Sequence, residues 1–427
     1  MKKLYFIVTI ISGCAPIPQS SDNQSENGKV FQLFDIAYEA QIKTIKLTPI
    51  GTDSRSQLLP AVTSLGTWSL QLEFDDLRDQ RDTYNAQVIH CNHDWTKSTL
   101  SDLDYLSQYN EFPLTTFDFS LDTHIPYVHY KFKLPAVKLP GNYVLLIYRG
   151  TDRADIILTK RFMVYDQKVS LARQNNLVGP GALASVNQQL NFVINYENIE
   201  LTNPIENINV TIRQNQRWDN FLQQVKPTFI RESSRDLEFN FFDPEKMFKG
   251  GNEFRFFDIR SLNYPGRNVA TVNKIVRPFQ VKIQTDKTRN GEAYASYDDL
   301  NGEYNTDNYD FRNAVSGNYA NVYFTLTSPE PIGGEVFLSG SFTNWSLTNE
   351  YKMTYDLSNK EYHAMALLKQ GWYDYHYVTK SAKLPKYHFE GSHFETENDY
   401  EIFVYYRSFQ PQADLLLGYF RFEENPR

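Results

Sequence analysis

The sequence predicts an all-β protein built from β-sandwich domains in series, and three observations carry that reading. Apolar residues alternate with a period of two, the alternating runs are short and bounded by Gly, Asn, Asp and Pro, and 29 Tyr, 30 Phe and 5 Trp supply large apolar side chains for cores. Single cores stop growing well short of 427 residues, so about three domains are expected.

Residues 1–13 stand apart as a secretory signal. Lys2 and Lys3 precede the apolar run Leu4 to Ile11, and the small residues Ser12 and Gly13 follow it. Ile11-Ser12-Gly13-Cys14 resembles the lipobox of bacterial lipoproteins, which makes Cys14 the expected lipid attachment site. Acyl chains gain about 0.8 kcal/mol per buried CH₂, so a multiply acylated Cys14 would anchor the chain stably. Ala15 is not the Asp that signals retention at the inner membrane, and the resemblance therefore implies the inner leaflet of the outer membrane. Residues 14–30 are polar and Pro-, Ser- and Asn-rich, as in a flexible linker.

The mature body divides by its turn-rich stretches into blocks 31–165, 166–283 and 284–427. In the first, Trp68, Leu70, Leu72 and Phe74 share one strand face, and Val128, Tyr130, Phe132 and Leu134 another. Tyr143 to Tyr148 and Phe162 to Tyr165 complete it, with a short helical turn over Ser101 to Leu106. The middle block holds Leu190 to Tyr196, Ile208 to Ile212 and Phe254 to Ile259. The polar stretch Thr285 to Glu292 reads as a linker to a third block containing Val322 to Leu326 and Ile402 to Tyr406. Cys91 is the one thiol besides Cys14, so no disulfide framework is expected.

Lys and Arg number 43 against 51 Asp and Glu, a net charge of −8, and no basic run is present, which excludes a nucleic-acid binder of the usual kind. No cofactor site is expected. His90-Cys91-Asn92-His93-Asp94 contains zinc-ligand types but has no second pair, and neighbours along a strand point to opposite faces, so no metal site is expected. Asp75-Asp76 and Asp298-Asp299 read as surface turns rather than acid–base pairs. No nucleophile elbow, phosphate loop or HExxH appears, and an enzyme is not expected.

In the third block, Gly334 to Trp345 followed by Gly371-Trp-Tyr-Asp-Tyr375 resembles Ig-like early-set modules, the group that includes glycogen-binding domains. A carbohydrate-binding periplasmic or surface lipoprotein is thus an alternative function, with Trp345 and Trp372 as its stacking rings; a core role for these rings is the plainer reading.

A broader resemblance runs through all three blocks. His90-Cys-Asn with Asp94-Trp95, Tyr127-Val-His-Tyr130 and Gly141-Asn-Tyr-Val144 in the first, Gly250 to Tyr264 in the second, and Asp299-Leu-Asn-Gly302 with Glu390 to Asn398 in the third resemble the type IX secretion system plug protein family. The resemblance implies a periplasmic, non-enzymatic protein that docks on the outer-membrane translocon barrel and closes it between substrates. Trp218, set between Arg217 and Asp219, is the expected aromatic anchor for a partner, alongside Trp345 and Trp372. Gly250 to Tyr264 reads as a core hairpin with cross-strand charge pairs.

Overall fold

Period-two alternation becomes β-structure along the whole body of the computed structural model, which describes residues 28–51, 54–67, 69–174, 185–241, 243–311 and 313–426. The signal segment, Cys14 and Trp68 lie outside the described residues. Among the described residues no helix is long and apolar enough to cross a membrane.

The first domain is two sheets face to face. One sheet runs Ile36–Ala37, Ile156–Tyr165, Gly141–Arg149, Tyr84–Cys91, Phe112–Pro113, and the other runs Ile42–Pro49, Leu70–Asp76, Val128–Lys133, Thr116–Phe119. Leu70, Leu72 and Phe74 point inward together, as the alternation requires, and meet Tyr84, Tyr130 and Leu145 in the core. The helical turn is Asp102–Tyr105, where the Asp104 carboxylate accepts from the Ser101 backbone at 2.7 Å and buried Tyr105 donates its hydroxyl to the Val88 carbonyl at 3.0 Å.

The boundary expected at 283 is not where the sheets and cores divide. Asn398–Arg407 pairs with Ile208–Gln214, in a sheet ordered Phe221–Val225, Ile208–Gln214, Asn398–Arg407, Asp414–Glu424. The C-terminal hairpin therefore closes the middle sandwich, and Tyr400, Ile402 and Val404 share its core with Phe192, Ile212 and Phe239. Conversely Phe257 and Ile259 belong to the third core, with Val322, Phe324 and Tyr373. The third domain is an insertion into the middle one.

Its entry and exit run side by side. A Cβ on Gly250 would sit 1.9 Å from the His393 carbonyl oxygen, so only glycine allows that approach, and Asn398 donates to the Gly250 carbonyl at 2.8 Å. The polar stretch taken for a linker is pinned inside the third domain: Arg255 bonds Asp286 at 2.8 Å and the Lys287 carbonyl at 2.7 Å, while Arg289 and Arg255 share Glu390. Burial alone would raise Glu390's pKa, but the two guanidiniums outweigh it and bring it to about 2. Composition reads such charges as a solvated connector, because it does not show that they pair with one another.

Candidate functional site

Two seams join the first domain to the rest, and the first of them uses a strand face that the sequence alone would assign to water. On the polar face of Leu70–Asp76, Asp75 is fully buried. It accepts from His129 Nδ1 at 2.7 Å within its own domain, and from Lys369 Nζ at 2.8 Å and the Tyr319 hydroxyl at 2.7 Å across the seam. Tyr319 in turn accepts from Thr44 at 2.6 Å. Desolvation pushes Asp75 up, yet the Lys369 charge and the His129 bond prevail and hold its pKa near 2. Lys46 meets Glu303 at 3.1 Å, and Gln57 spans Thr306, accepting from its N–H at 3.1 Å and donating to its carbonyl at 3.2 Å. Asp75 and Asp76, expected in a surface turn, are strand residues without exposed area, and Asp76 pairs with Arg78.

The second seam, to the middle domain, is apolar. Ile89, Cys91, Trp95, Val144 and Met163 pack against Phe403, Tyr405 and Leu416. Trp95 meets Trp218 edge to face at 5.0 Å, Arg161 lies 4.3 Å over Trp95, and Arg213 lies 4.5 Å over Trp218 while holding Glu401 by two bonds of 2.7 and 2.8 Å. At its rim Asp414 accepts from the His93 backbone at 3.0 Å and from its Nδ1 at 2.8 Å.

The expected site residues are thus spread through the assembly. Trp218 is half-buried in the apolar seam. Trp345 is half-buried between the third and middle domains, edge-on to Phe254 and His376, with the Arg217 guanidinium 4.2 Å from its ring. Trp372 stacks on Phe256 at 4.6 Å and donates Nε1–H to Asp374 at 3.0 Å. The structure does not bring the three rings together, and each already packs against its own chain.

His90 and Cys91 do point to opposite sides: His90 packs edge-on to Tyr143 at 4.9 Å, while the Cys91 thiol lies in the apolar seam, where burial pushes its pKa up to about 12. Such a thiol is unreactive in the folded protein. Burial likewise lowers the His90 pKa to about 4, so the ring is neutral at ordinary pH.

Sequence reasoning missed an exposed apolar end shared by the first and third domains. Ile275, at a hairpin tip, is 93% exposed, and Tyr264 is 78% exposed; Lys274 beside the tip bonds Asn263, next to Tyr264, at 3.1 Å. Phe311, Leu121 and Phe119 continue the exposed set, with the Leu121 backbone bonded to the Val315 carbonyl at 3.0 Å. The signal was present in Lys274-Ile275-Val276-Arg277, apolar residues at a turn where polar ones are usual.

Fold and seams together define a tandem of sandwiches with one domain inserted into another. Residues 42–166 match the family described as type 9 secretion system plug protein, first domain, the family whose resemblance was read from the sequence. The crystal structure of a hypothetical protein from Parabacteroides merdae ATCC 43184 is 27% identical and superposes with a TM-score of 0.85 over 92% of this chain and 100% of that one. That coverage includes all three sandwiches, hence also their arrangement. Trypsin-activated alpha-2-macroglobulin from Escherichia coli, 8% identical over 89% of this chain and 23% of that one, has a TM-score of 0.14, which carries no structural likeness. No curated protein matches the chain.

Proposed function

We propose that this protein is a non-enzymatic periplasmic plug that docks on the outer-membrane translocon barrel of the type IX secretion system and closes it while no substrate passes. The observation that carries the reading is the plug-family first domain at residues 42–166. The physics is consistent with it. Blocking a wide aqueous pore needs a broad body that does not flex, and three sandwiches joined through buried ion pairs and an aromatic seam supply one. The exposed end around Tyr264, Ile275 and Phe311 is the surface we assign to the barrel, within a contact on the order of 1,200–2,000 Å². Acylation of Cys14 would tether the body to the inner leaflet of the outer membrane and raise its concentration near its target.

Cross-linking in the native envelope followed by mass spectrometry tests the reading. A translocon subunit linked to the third domain is expected, and deletion should raise permeability to bulky antibiotics. Unchanged permeability together with no linked subunit would overturn it.

A further inference from the structure

The seam between the first and third domains does not close completely. Above the Asp75 network it opens into a cleft of about 810 Å³, within the range of small-molecule and cofactor sites. We propose that this cleft binds a neutral, hydroxyl-rich ligand, a short oligosaccharide. The inference does not rest on the plug reading.

Charge is the first argument. Among the described residues lining the cleft, the cationic side chains are already paired: Lys46 with Glu303, Lys369 with Asp75, and His129 with both Asp75 and Glu73. An anionic ligand would have to displace a carboxylate from a buried pair, at a cost that its own attraction does not recover. The remaining lining is rich in hydroxyls and amides, among them Thr48, Ser56, Gln71 and Asn313.

The second argument is an unmet donor. Asn308 is 94% buried at the cleft wall; its Oδ1 accepts from the backbone N–H groups of Asp310 and Phe311, while its Nδ2 has no partner in the protein. A buried donor left in that condition costs about 1–3 kcal/mol, and because the Nδ2 atom itself has no accessible area, a ligand oxygen recovers that cost only where the cleft wall shifts on binding.

The third is a platform. Tyr309, at the cleft, is exposed, and the Arg260 guanidinium lies 4.4 Å from its ring and bonds its hydroxyl, fixing the ring in place. An extended peptide would instead need free strand-edge backbone. That edge is occupied: the Gln57 amide satisfies both backbone groups of Thr306, and the Tyr304 hydroxyl faces the Ile45 carbonyl at 3.5 Å. Sugar recognition thus falls on Tyr309 and Asn308 rather than on Trp345 and Trp372.

The test is calorimetric titration of the full chain with a panel of neutral hexaoses: malto-, cello-, manno-, xylo- and chitohexaose. At least one should bind and raise the thermal transition, because it bridges two domains. Tyr309→Phe should retain that binding and Tyr309→Ala weaken it about tenfold. Both substitutions are at an exposed ring, so folding survives them. Absence of binding tighter than about 10 mM across the panel, or equal binding by Tyr309→Ala, would overturn the proposal. So would an unstructured peptide that displaces the sugar from the cleft and binds more tightly.

Discussion

The two seams of the first domain solve the same problem with opposite chemistry. Toward the middle domain, Trp95, Phe403, Tyr405 and Leu416 form a contact that resembles a domain core. Toward the third domain, Asp75, Lys369, His129 and Tyr319 form a buried polar cluster beside an open cleft. An apolar seam gains free energy from area and tolerates small shifts. A polar one is stable only in one register, because each partner left unpaired is penalised. The first holds the domains together, and the second sets the angle between them.

The largest effect should come from the apolar side. Phe403 is fully buried against Trp218 and Tyr419, so Phe403→Ala should cost about 4 kcal/mol, read by denaturant unfolding. Cys91 offers a second readout in a form with Cys14 replaced by Ser. Its thiol should resist maleimide in the parent protein and become labelled as the seam loosens.

Next is Asp75→Asn, expected to cost about 3 kcal/mol because it leaves the Lys369 ammonium buried without its counter-charge. Adding Lys369→Met should restore most of the loss, since replacing the whole pair removes the orphaned charge. If the double variant is as unstable as the single one, the pair is not what holds this seam, and the contrast between the two seams fails.

The comparison sharpens with pH. Asp75's folded pKa of about 2 lies below its ordinary 3.8, so its contribution, about 2 kcal/mol, is complete above that ordinary value and lost as pH falls through about 2. Burial opposes charge on His129, but bonds to Asp75 and Glu73 raise its pKa overall. Its contribution is therefore complete below 6.5 and lost as pH rises through the raised value. Small-angle scattering across pH should show the third domain separating from the first in strong acid while the first and middle domains stay joined.

Much of the fold was legible in the sequence, and the reason it was legible also marks where reading stopped. Alternation identified Leu70, Leu72 and Phe74 as core because period two is a property of the strand itself. Asp75, read as part of a surface turn, was also given to water, because a polar residue type does not distinguish water from another domain with paired charges. The insertion was hidden for a related reason. Polar residues 285–292 have the composition of a connector, and only the pairing of Asp286 with Arg255 and of Arg289 with Glu390 shows them to be interior. Of the expected anchors, Trp218 was chosen for its polar neighbours, yet Arg217 and Arg213 are the cations that stack on Trp345 and on Trp218 within the assembly. Tyr264 and Phe311, two of the exposed rings, sit in loops where no periodicity operates.

Those outer residues give the smallest effect on stability and the clearest one on function. Ile275→Asp and Tyr264→Asp alter exposed side chains, so unfolding should shift by no more than about 0.5 kcal/mol, and the apolar seam should stay closed by Cys91 labelling. An Asp placed at the centre of an apolar contact is desolvated without a partner, and co-purification of the translocon should be lost. Asp75→Asn should weaken co-purification differently, by letting the third domain swing so that Leu121 and Phe311 no longer present one surface. If the surface variants leave the complex intact while the seam variant abolishes it, the barrel recognises the angle between domains rather than the exposed end, and the docking face lies elsewhere on the rigid body.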